Sequence, residues 1–199
     1  MSVSPAQVKE LRDKTGCGMM DCKKALEESA GNLEKAIESL RKKGLADLAK
    51  RTGRAAKEGL VDAYIHANGR IGVLVEVNCE TDFVARNTDF QNFTHDIAMQ
   101  VAASMPVYVS RDDVPEDLVA AERNIYREQA LAEGKPEKVA DKIIEGRLEK
   151  FYETVCLLDQ PFIKEQSVSV QDYLGEIVGK LGENISIRRF ARYQLGEEL

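Results

Sequence analysis

The fold of this chain is decided by residues 71–87, whose sequence is IGVLVEVNCETDFVARN. Every second side chain in the first nine residues is apolar, which is typical of a strand with one face in a core. Residues 81–87 then form a short polar connection before a helical pattern that begins at Thr88. This connection carries Phe83, a large aromatic residue in a position where binding groups are often displayed. The pattern leaves two interpretations open, a lid that folds back on the core or a side chain that projects toward a partner.

Three strand-like segments predict a small antiparallel sheet within residues 55–199. Residues 61–66 alternate apolar and polar side chains, and an Asn-Gly pair at residues 68–69 favours a hairpin turn into the strand 71–79. Residues 185–195 alternate again. Strands separated by helical patterns predict an α+β core with a three-stranded antiparallel sheet.

Helical periodicity accounts for most of the remaining core. Apolar residues at helical spacing predict one helix that begins at Thr88 and stops before Pro106. Thr88 and Gln91 have the spacing of a second capping box. Two further helices, the first beginning at Pro115, are joined by a short turn and predict an antiparallel helical hairpin. A last helix is expected from about Ser169 to Leu181.

Residues 1–54 predict a separate domain, a bundle of three helices followed by a basic linker. Ser4 and Gln7 have the spacing of a capping box at the first helix. Asp21 is expected to cap the second helix, and Gly44 is expected to end the third. The predicted core of this bundle is small, so the bundle would be marginally stable alone.

Charge is distributed unevenly along the chain, whose net charge is −6. Residues 1–57 contain 13 Lys and Arg against 8 Asp and Glu, a net charge of +5, whereas the rest contains 15 against 26, a net charge of −11. This asymmetry indicates two domains with different surfaces. The basic domain could bind RNA or the ribosome, but it contains no Phe, Tyr or Trp on which bases could stack.

The sequence favours a binding protein over an enzyme. It has no G-x-x-x-x-G-K-[ST] phosphate loop, no G-x-S-x-G elbow and no H-E-x-x-H pair. Its four cysteines are scattered and are expected to be reduced thiols, with no metal site and no cofactor. No membrane-spanning stretch and no secretory signal is visible, so a cytoplasmic location is expected, with an organelle matrix as the alternative.

Six blocks of the sequence together resemble the elongation factor Ts family, in the same order along the chain. The blocks are residues 9–12 (KELR), 15–26 (TGCGMMDCKKAL), 76–85 (EVNCETDFVA), 97–104 (IAMQVAAS), 160–162 (QPF) and 182–189 (GENISIRR). The resemblance implies a ubiquitin-associated-like three-helix domain followed by an α+β core. It also implies a guanine-nucleotide exchange factor for the translational GTPase elongation factor Tu.

The resemblance further implies which residues contact that partner. The family inserts the Phe of a Thr-Asp-Phe-Val segment between two partner helices and disturbs the magnesium site. Magnesium displacement is thereby assigned to Thr81, Asp82, Phe83 and Val84. Partner binding is assigned to Lys9, Arg12, Met19, Met20 and Lys23 in the bundle, and to His66, Leu181 and Gly182 in the core. Because two adjacent residues of one helix cannot both face inward, at least one of the two methionines is expected to be exposed.

The same resemblance bears on assembly. Longer family members have a second core repeat and a C-terminal appendage, whereas this chain resembles the short form, some members of which act as dimers. A small sheet with at least one open edge is an independent reason to expect a homodimer. The alternatives to an exchange factor are an RNA- or ribosome-binding module and a chaperone-like holdase. The holdase would need large exposed apolar patches, which the pattern does not indicate.

Overall fold

A computed structural model describes residues 3–66, 68–134 and 136–197. It confirms the α+β class, with three helices at the N-terminus followed by a three-stranded antiparallel sheet and further helices. Residues 1–2 and 198–199, which the predicted domains include, lie outside the described residues. The elements are α1 (Pro5–Thr15), α2 (Met19–Glu28), α3 (Leu33–Arg51), β1 (Glu58–His66), β2 (Ile71–Cys79), α4 (Asp82–Ala85), α5 (Thr88–Ser104), α6 (Glu116–Ala132), α7 (Glu137–Val155), β3 (Pro161–Phe162), β4 (Glu165–Ser169), α8 (Val170–Leu181) and β5 (Ser186–Gln194).

The first helix begins and ends as its sequence predicts. The Ser4 hydroxyl accepts a hydrogen bond from the Gln7 backbone N–H at 3.3 Å, and the Gln7 side chain accepts from the Ser4 backbone N–H at 3.0 Å. Gly16 ends the helix at φ 65°, a conformation that suits glycine. The bundle has its own small core of buried side chains: Val8, Leu11, Cys22, Ala25, Leu26, Ala36 and Leu40.

The predicted start of the second helix is wrong. The α2 helix begins at Met19 with Gly18 as its N-cap, so Asp21 lies inside the first turn and does not cap it. A carboxylate is still favourable there because it faces the positive end of the helix dipole. Asp21 also forms an ion pair with Lys43 of α3. The charge, and not a side-chain cap, is what this position supplies.

The predicted end of the third helix is also wrong. The α3 helix continues to Arg51, and Gly44 is buried within it. A Cβ atom at Gly44 would lie 2.8 Å from the backbone oxygen of Gly175 in α8. Glycine is present here because two helix backbones approach closely. In the sequence alone, a glycine required by such a contact looks the same as a glycine that ends a helix. The last turns of α3 therefore lie on the core, where Arg51 donates to the Val178 carbonyl at 3.1 Å.

The sheet has the strand order β1-β2-β5, and both pairings are antiparallel. Asn68 and Gly69 have φ values of 58° and 85° in the connection between β1 and β2, as the predicted turn requires. One face of β2 is buried in a core that also contains side chains of α5 and α8, as its alternation predicts. The buried side chains of this face are Val73, Val75, Val77 and Cys79. A short two-stranded sheet, β3-β4, was not predicted.

The helices of the core complete the architecture. The α5 helix begins at Thr88, but the residue that caps it is Asn87, whose side chain accepts from the Asp89 backbone N–H at 2.8 Å. The predicted helical hairpin is formed by α6 and α7. Ion pairs cross it, among them Arg123 with Glu145 at 2.6 Å. Within the described residues, no helix has the length and apolar character needed to cross a membrane.

Candidate functional site

Phe83 lies on the short helix α4, directly after the buried strand β2. Thr81 is the N-cap, and its hydroxyl accepts a hydrogen bond from the Val84 backbone N–H at 3.4 Å. Val84 and Ala85 pack against the core, whereas the Phe83 side chain is 81% exposed. The lid interpretation of Phe83 is therefore wrong. The helix is anchored on one side and presents one aromatic ring to solvent on the other.

Glu183 anchors this segment from the connection between α8 and β5. One oxygen of its carboxylate accepts from the backbone N–H groups of Glu80 and Thr81, each at 3.0 Å. The other oxygen accepts from the Thr81 hydroxyl at 2.6 Å. Sequence reasoning assigned Glu183 no role. The only local signal was an acidic residue just beyond the end of a helix, where the dipole disfavours a negative charge.

A second carboxylate, that of Glu80, extends from the Phe83 segment to the connection between α8 and β5. The Glu80 side chain accepts from the Asn184 backbone N–H at 2.6 Å, and Arg54 lies 3.5 Å from the same oxygen. The Asn184 amide in turn donates to the Arg54 backbone carbonyl at 2.8 Å. The segment that carries Phe83 is thus joined to the α8–β5 connection and to the chain that leaves α3.

Two further contacts stabilise the start and end of this segment. Asp82 forms an exposed ion pair with Arg86 at 2.9 Å, one helical turn later. The Cys79 thiol donates to the Thr81 carbonyl at 3.2 Å. Burial raises the pKa of the Cys79 thiol to about 11, so the group remains a protonated donor at neutral pH.

The structure brings Leu181 and Gly182 close to the same segment. They end α8 immediately before Glu183, and Gly182 has φ 79°. Leu181 is half-buried and packs against the core, whereas Gly182 is exposed. Because Glu183 contacts Thr81 directly, these two residues and α4 share one part of the surface.

The predicted bundle contacts form a second group. Lys9 and Arg12 are both exposed and lie one turn apart on α1. Met19 and Met20 are 59% and 73% exposed, so neither belongs to the bundle core. They are the first two residues of α2, and Lys23 lies one turn further along the same helix.

The C-terminal end of α8 lies between these two groups. A Cβ atom at Gly16, in the turn between α1 and α2, would lie 3.1 Å from the Lys180 side chain. Lys180 also forms an ion pair with Asp89 of α5 at 2.8 Å. Lys180 directly precedes Leu181. The end of α8 therefore lies next to the turn between α1 and α2 on one side and next to the segment that carries Phe83 on the other.

His66 lies apart from the other core residues of the predicted site. It pairs with Ile71 at one end of the β1–β2 hairpin, whereas Cys79 pairs with Glu58 at the other. Eight residue steps of strand span about 26 Å. The Tyr64 hydroxyl lies 2.9 Å from the His66 Nδ1 atom, and the imidazole is exposed.

The described residues contain no candidate metal centre. Within residues 3–66, 68–134 and 136–197, no three His, Cys, Asp or Glu side chains are grouped so that they could hold a metal ion. All four thiols in this part of the chain are free cysteines.

Comparisons with known proteins agree over nearly the whole chain. The family described as "Elongation factor TS" matches residues 23–197. Elongation factor Ts of Moorella thermoacetica is 64% identical over 195 residues, which cover 98% of this chain and 96% of that protein. The protein of the same name from Carboxydothermus hydrogenoformans is 61% identical over 197 residues, with 99% and 91% covered. That of Syntrophus aciditrophicus is 59% identical over 199 residues, with 100% and 99% covered.

Proposed function

This chain belongs to the elongation factor Ts family, and we propose that it promotes the release of GDP from elongation factor Tu. The observation that carries this proposal is the 81% exposure of Phe83 on a helix whose N-cap is fixed by Glu183. An aromatic ring held in water in this way is suited to a pocket on another protein. A translation partner also implies a cytoplasmic location.

The proposed mechanism requires no covalent chemistry. Magnesium bridges the phosphates and the protein in translational GTPases, so a side chain that disturbs the magnesium site weakens nucleotide binding. We assign this role to Thr81, Asp82, Phe83 and Val84, with Phe83 as the group that enters the partner. A chain that binds the nucleotide-free state more tightly shifts the population toward that state. The coupling is reciprocal, so GDP lowers the affinity of this chain by the same factor.

The three-helix domain of residues 1–54 is proposed to bind the partner next to the core of residues 55–199. Its exposed surface combines two cations of α1 with the methionine pair of α2 and Lys23. Methionine side chains adapt to irregular surfaces, which suits docking. Leu181, Gly182 and His66 are proposed as further contacts from the core.

The charge pattern of the bundle does not favour the RNA-binding alternative. Several of its basic side chains lie within 4.0 Å of a carboxylate of the same bundle, where local pairing reduces the field available to phosphates. These residues are Lys14, Lys23, Lys24, Lys42, Lys43 and Lys50.

Elongation factor Tu loaded with a fluorescent GDP tests the proposed function directly. The dye is released into excess unlabelled GDP, and its fluorescence is followed with and without this chain. We expect release to accelerate in proportion to the concentration of this chain until it saturates. Release that stays at the intrinsic rate at every concentration would overturn the proposal. A parallel titration with labelled RNA should show only weak, salt-sensitive binding.

We also propose that the chain forms a homodimer through the outer face of its sheet. Val61, Ile65, Leu74 and Tyr193 are 62%, 65%, 50% and 70% exposed. The register places Leu74 opposite Ala63 on one side and Ala191 on the other, so the patch is continuous across the three strands. Apolar side chains on the face of a sheet are stabilised by packing against a second sheet, and two-fold pairing of identical faces is the commonest arrangement.

Sedimentation equilibrium at micromolar concentration tests the dimer. We expect the wild-type chain to sediment as a dimer and Leu74→Lys as a folded monomer, because a charge on the paired face would be desolvated. Leu131→Lys is the matched control, since Leu131 is 53% exposed on α6, which packs against α7. A wild-type chain that sediments only as a monomer would refute the proposed pairing.

A further inference from the structure

We propose that Glu183 is a positioning residue for nucleotide exchange, because it fixes the direction in which α4 presents Phe83. This inference rests on the proposed function, in which Phe83 enters elongation factor Tu. Both oxygens of the Glu183 carboxylate are used, and all three donors belong to Glu80 and Thr81. No donor comes from Phe83 itself, so Glu183 acts through the backbone that precedes it.

The shortness of α4 makes an external anchor necessary. The helix has four residues, too few to be stable in isolation because nucleation costs more than one turn returns. Thr81 stabilises this short helix in two ways: it caps the helix, and its hydroxyl donates a hydrogen bond to Glu183 at 2.6 Å. One hydroxyl therefore connects the first turn of α4 to a carboxylate that lies 102 residues away in the sequence.

The anchor is reciprocal, which makes it more rigid than a single hydrogen bond. Glu183 accepts from the backbone of residues 80–81, and Glu80 accepts from the backbone N–H of Asn184 at 2.6 Å. Each connection thus contributes a carboxylate to the backbone donors of the other. Hydrogen bonds to charged groups are stronger than neutral ones, and these carboxylates are half-buried.

The consequence for exchange is preorganisation. A side chain that is already held in its binding orientation does not lose conformational entropy when it enters the partner. If the Glu183 contacts are lost, Phe83 is still present but its helix samples other orientations, so the step that expels GDP slows. The predicted docking residues of the bundle are not held by Glu183. Loss of Glu183 should therefore lower the maximal release rate and change the half-saturating concentration little.

Four chains test this inference in the fluorescent GDP assay: Glu183→Ala, Glu183→Gln, Phe83→Ala and the double variant Phe83→Ala with Glu183→Ala. We expect Glu183→Ala to release GDP about tenfold more slowly at saturation, the size of one lost charge-assisted hydrogen bond. Glu183→Gln should recover part of this loss, because its amide oxygen can still accept from both backbone N–H groups. Glu128→Ala, an exposed position on α6, should match the wild type.

The double variant separates positioning from a general structural effect. If Glu183 acts through Phe83, its removal should slow release no further once the ring is absent, a non-additive result typical of coupled residues. An equal slowing by Glu183→Ala in both backgrounds would overturn the positioning role. A slow Phe83→Ala together with a wild-type rate for Glu183→Ala would overturn it as well. A wild-type rate for Phe83→Ala would instead overturn the proposed function.

A second pair of variants covers the case in which Glu183→Ala fails to fold. Thr81→Val has a similar volume but no hydroxyl, so it can neither donate to Glu183 nor cap α4. Thr81→Ser keeps the hydroxyl and should release GDP faster than Thr81→Val. Equal rates for these two variants would contradict the proposed contact, and thermal melts of both show that each is folded when its rate is measured.

Discussion

Phe83 and the Met19–Met20 pair both project from the first turn of a helix, but the two turns are held differently. The cap of α4 is Thr81, whose hydroxyl reaches a carboxylate 102 residues away in the sequence. The cap of α2 is Gly18, which makes no side-chain hydrogen bond to the turn. The phenylalanine is thus fixed by long-range polar contacts, whereas the methionines depend on the packing of their own small bundle.

The side chains themselves repeat this difference. A phenylalanine ring has two rotatable side-chain bonds, so little freedom remains once its backbone is anchored. Methionine has three and fills irregular gaps. We infer that the two regions have different roles. The bundle binds the partner through side chains that adapt to its surface, and the anchored Phe83 ring promotes the release of GDP.

Phe83→Ala should produce the largest effect. Loss of a ring that fills a pocket at the centre of an interface costs about 2 kcal/mol or more, which corresponds to about 30-fold in an equilibrium constant. GDP release should slow by a comparable factor. The melting temperature should change little, because the ring is 81% exposed and contributes little to the core. Stopped-flow release and a thermal melt measure the two quantities.

Leu131→Ala is the matched control for Phe83→Ala, since Leu131 is also a large exposed apolar residue. It should leave both release and melting temperature unchanged. If Phe83→Ala lowered the melting temperature by many degrees and abolished all binding, the ring would have a structural role. The contrast between the two helix starts would then be wrong.

Met19→Ala combined with Met20→Ala should weaken partner binding by about tenfold, less than the loss of the anchored ring. The reduction should appear in the half-saturating concentration and not in the maximal release rate. Circular dichroism should show an intact bundle, because both side chains are more than half exposed. A fall in the maximal release rate at an unchanged half-saturating concentration would show that the methionines act in the exchange step. The proposal that the bundle acts only in binding would then be wrong.

Several parts of this molecule could be predicted because their signals are local. The alternation of residues 71–79 and the capping box at Ser4 depend on neighbours within a few positions, and both were confirmed. The role of Gly44 could not be predicted, because its partner Gly175 is distant in the sequence and the pattern is the same as that of a helix end. The alternation of residues 61–66 places the apolar side chains of β1 together on one face, but that face is the exposed one, with Val61 62% and Ile65 65% exposed.

The candidate site divides in the same way. Phe83 was recognisable as a large apolar residue in a polar connection, and its exposure excludes the lid interpretation. Glu183 was not recognisable, because nothing near it in the sequence indicates that it faces Thr81. Sequence thus predicts the group that is displayed more readily than the contacts that orient it.

Gly44→Ala should have a smaller effect, on the free energy of unfolding. It changes the contact between α3 and α8, which joins the bundle that carries the methionines to the core that carries Phe83. The new Cβ atom would lie 2.8 Å from the Gly175 backbone oxygen, so α3 and α8 must separate slightly. Overpacking of about 2 kcal/mol, offset by a gain of about 1 kcal/mol in helix propensity, leaves a net destabilisation of about 1 kcal/mol. A thermal or urea melt measures it.

Gly146→Ala in α7 is the control, because a Cβ atom there would meet nothing within 4 Å. It should stabilise the chain by about 0.5–1 kcal/mol through helix propensity alone. If Gly44→Ala were equally stabilising, the bundle would not be closely packed on the core, and the positions of Met19 and Phe83 would be independent of each other.

The smallest expected effect is a difference in reactivity between two thiols that each lie just before one of the two helix starts. Cys17 precedes Met19, and Cys79 precedes Thr81. Burial raises the pKa of both thiols, that of Cys79 to about 11, and Cys79 is fully buried whereas Cys17 is half-buried. Because the thiolate is the reactive form, alkylation at about pH 8 should modify Cys17 slowly and Cys79 only when the chain unfolds, and both rates should rise with pH.

Cys156 is the control for this labelling experiment, since it is also buried with a pKa raised by burial to about 11. It should react as slowly as Cys79. Elongation factor Tu should protect Cys17 further, because the adjacent methionines would be covered in the complex. If Cys79 instead reacted as fast as Cys17 in the folded chain, the segment before α4 would open as readily as the turn before α2. The proposed difference between an anchored Phe83 and an adaptable methionine pair would then be wrong. In that case the maximal release rate of Glu183→Ala should approach that of the wild type.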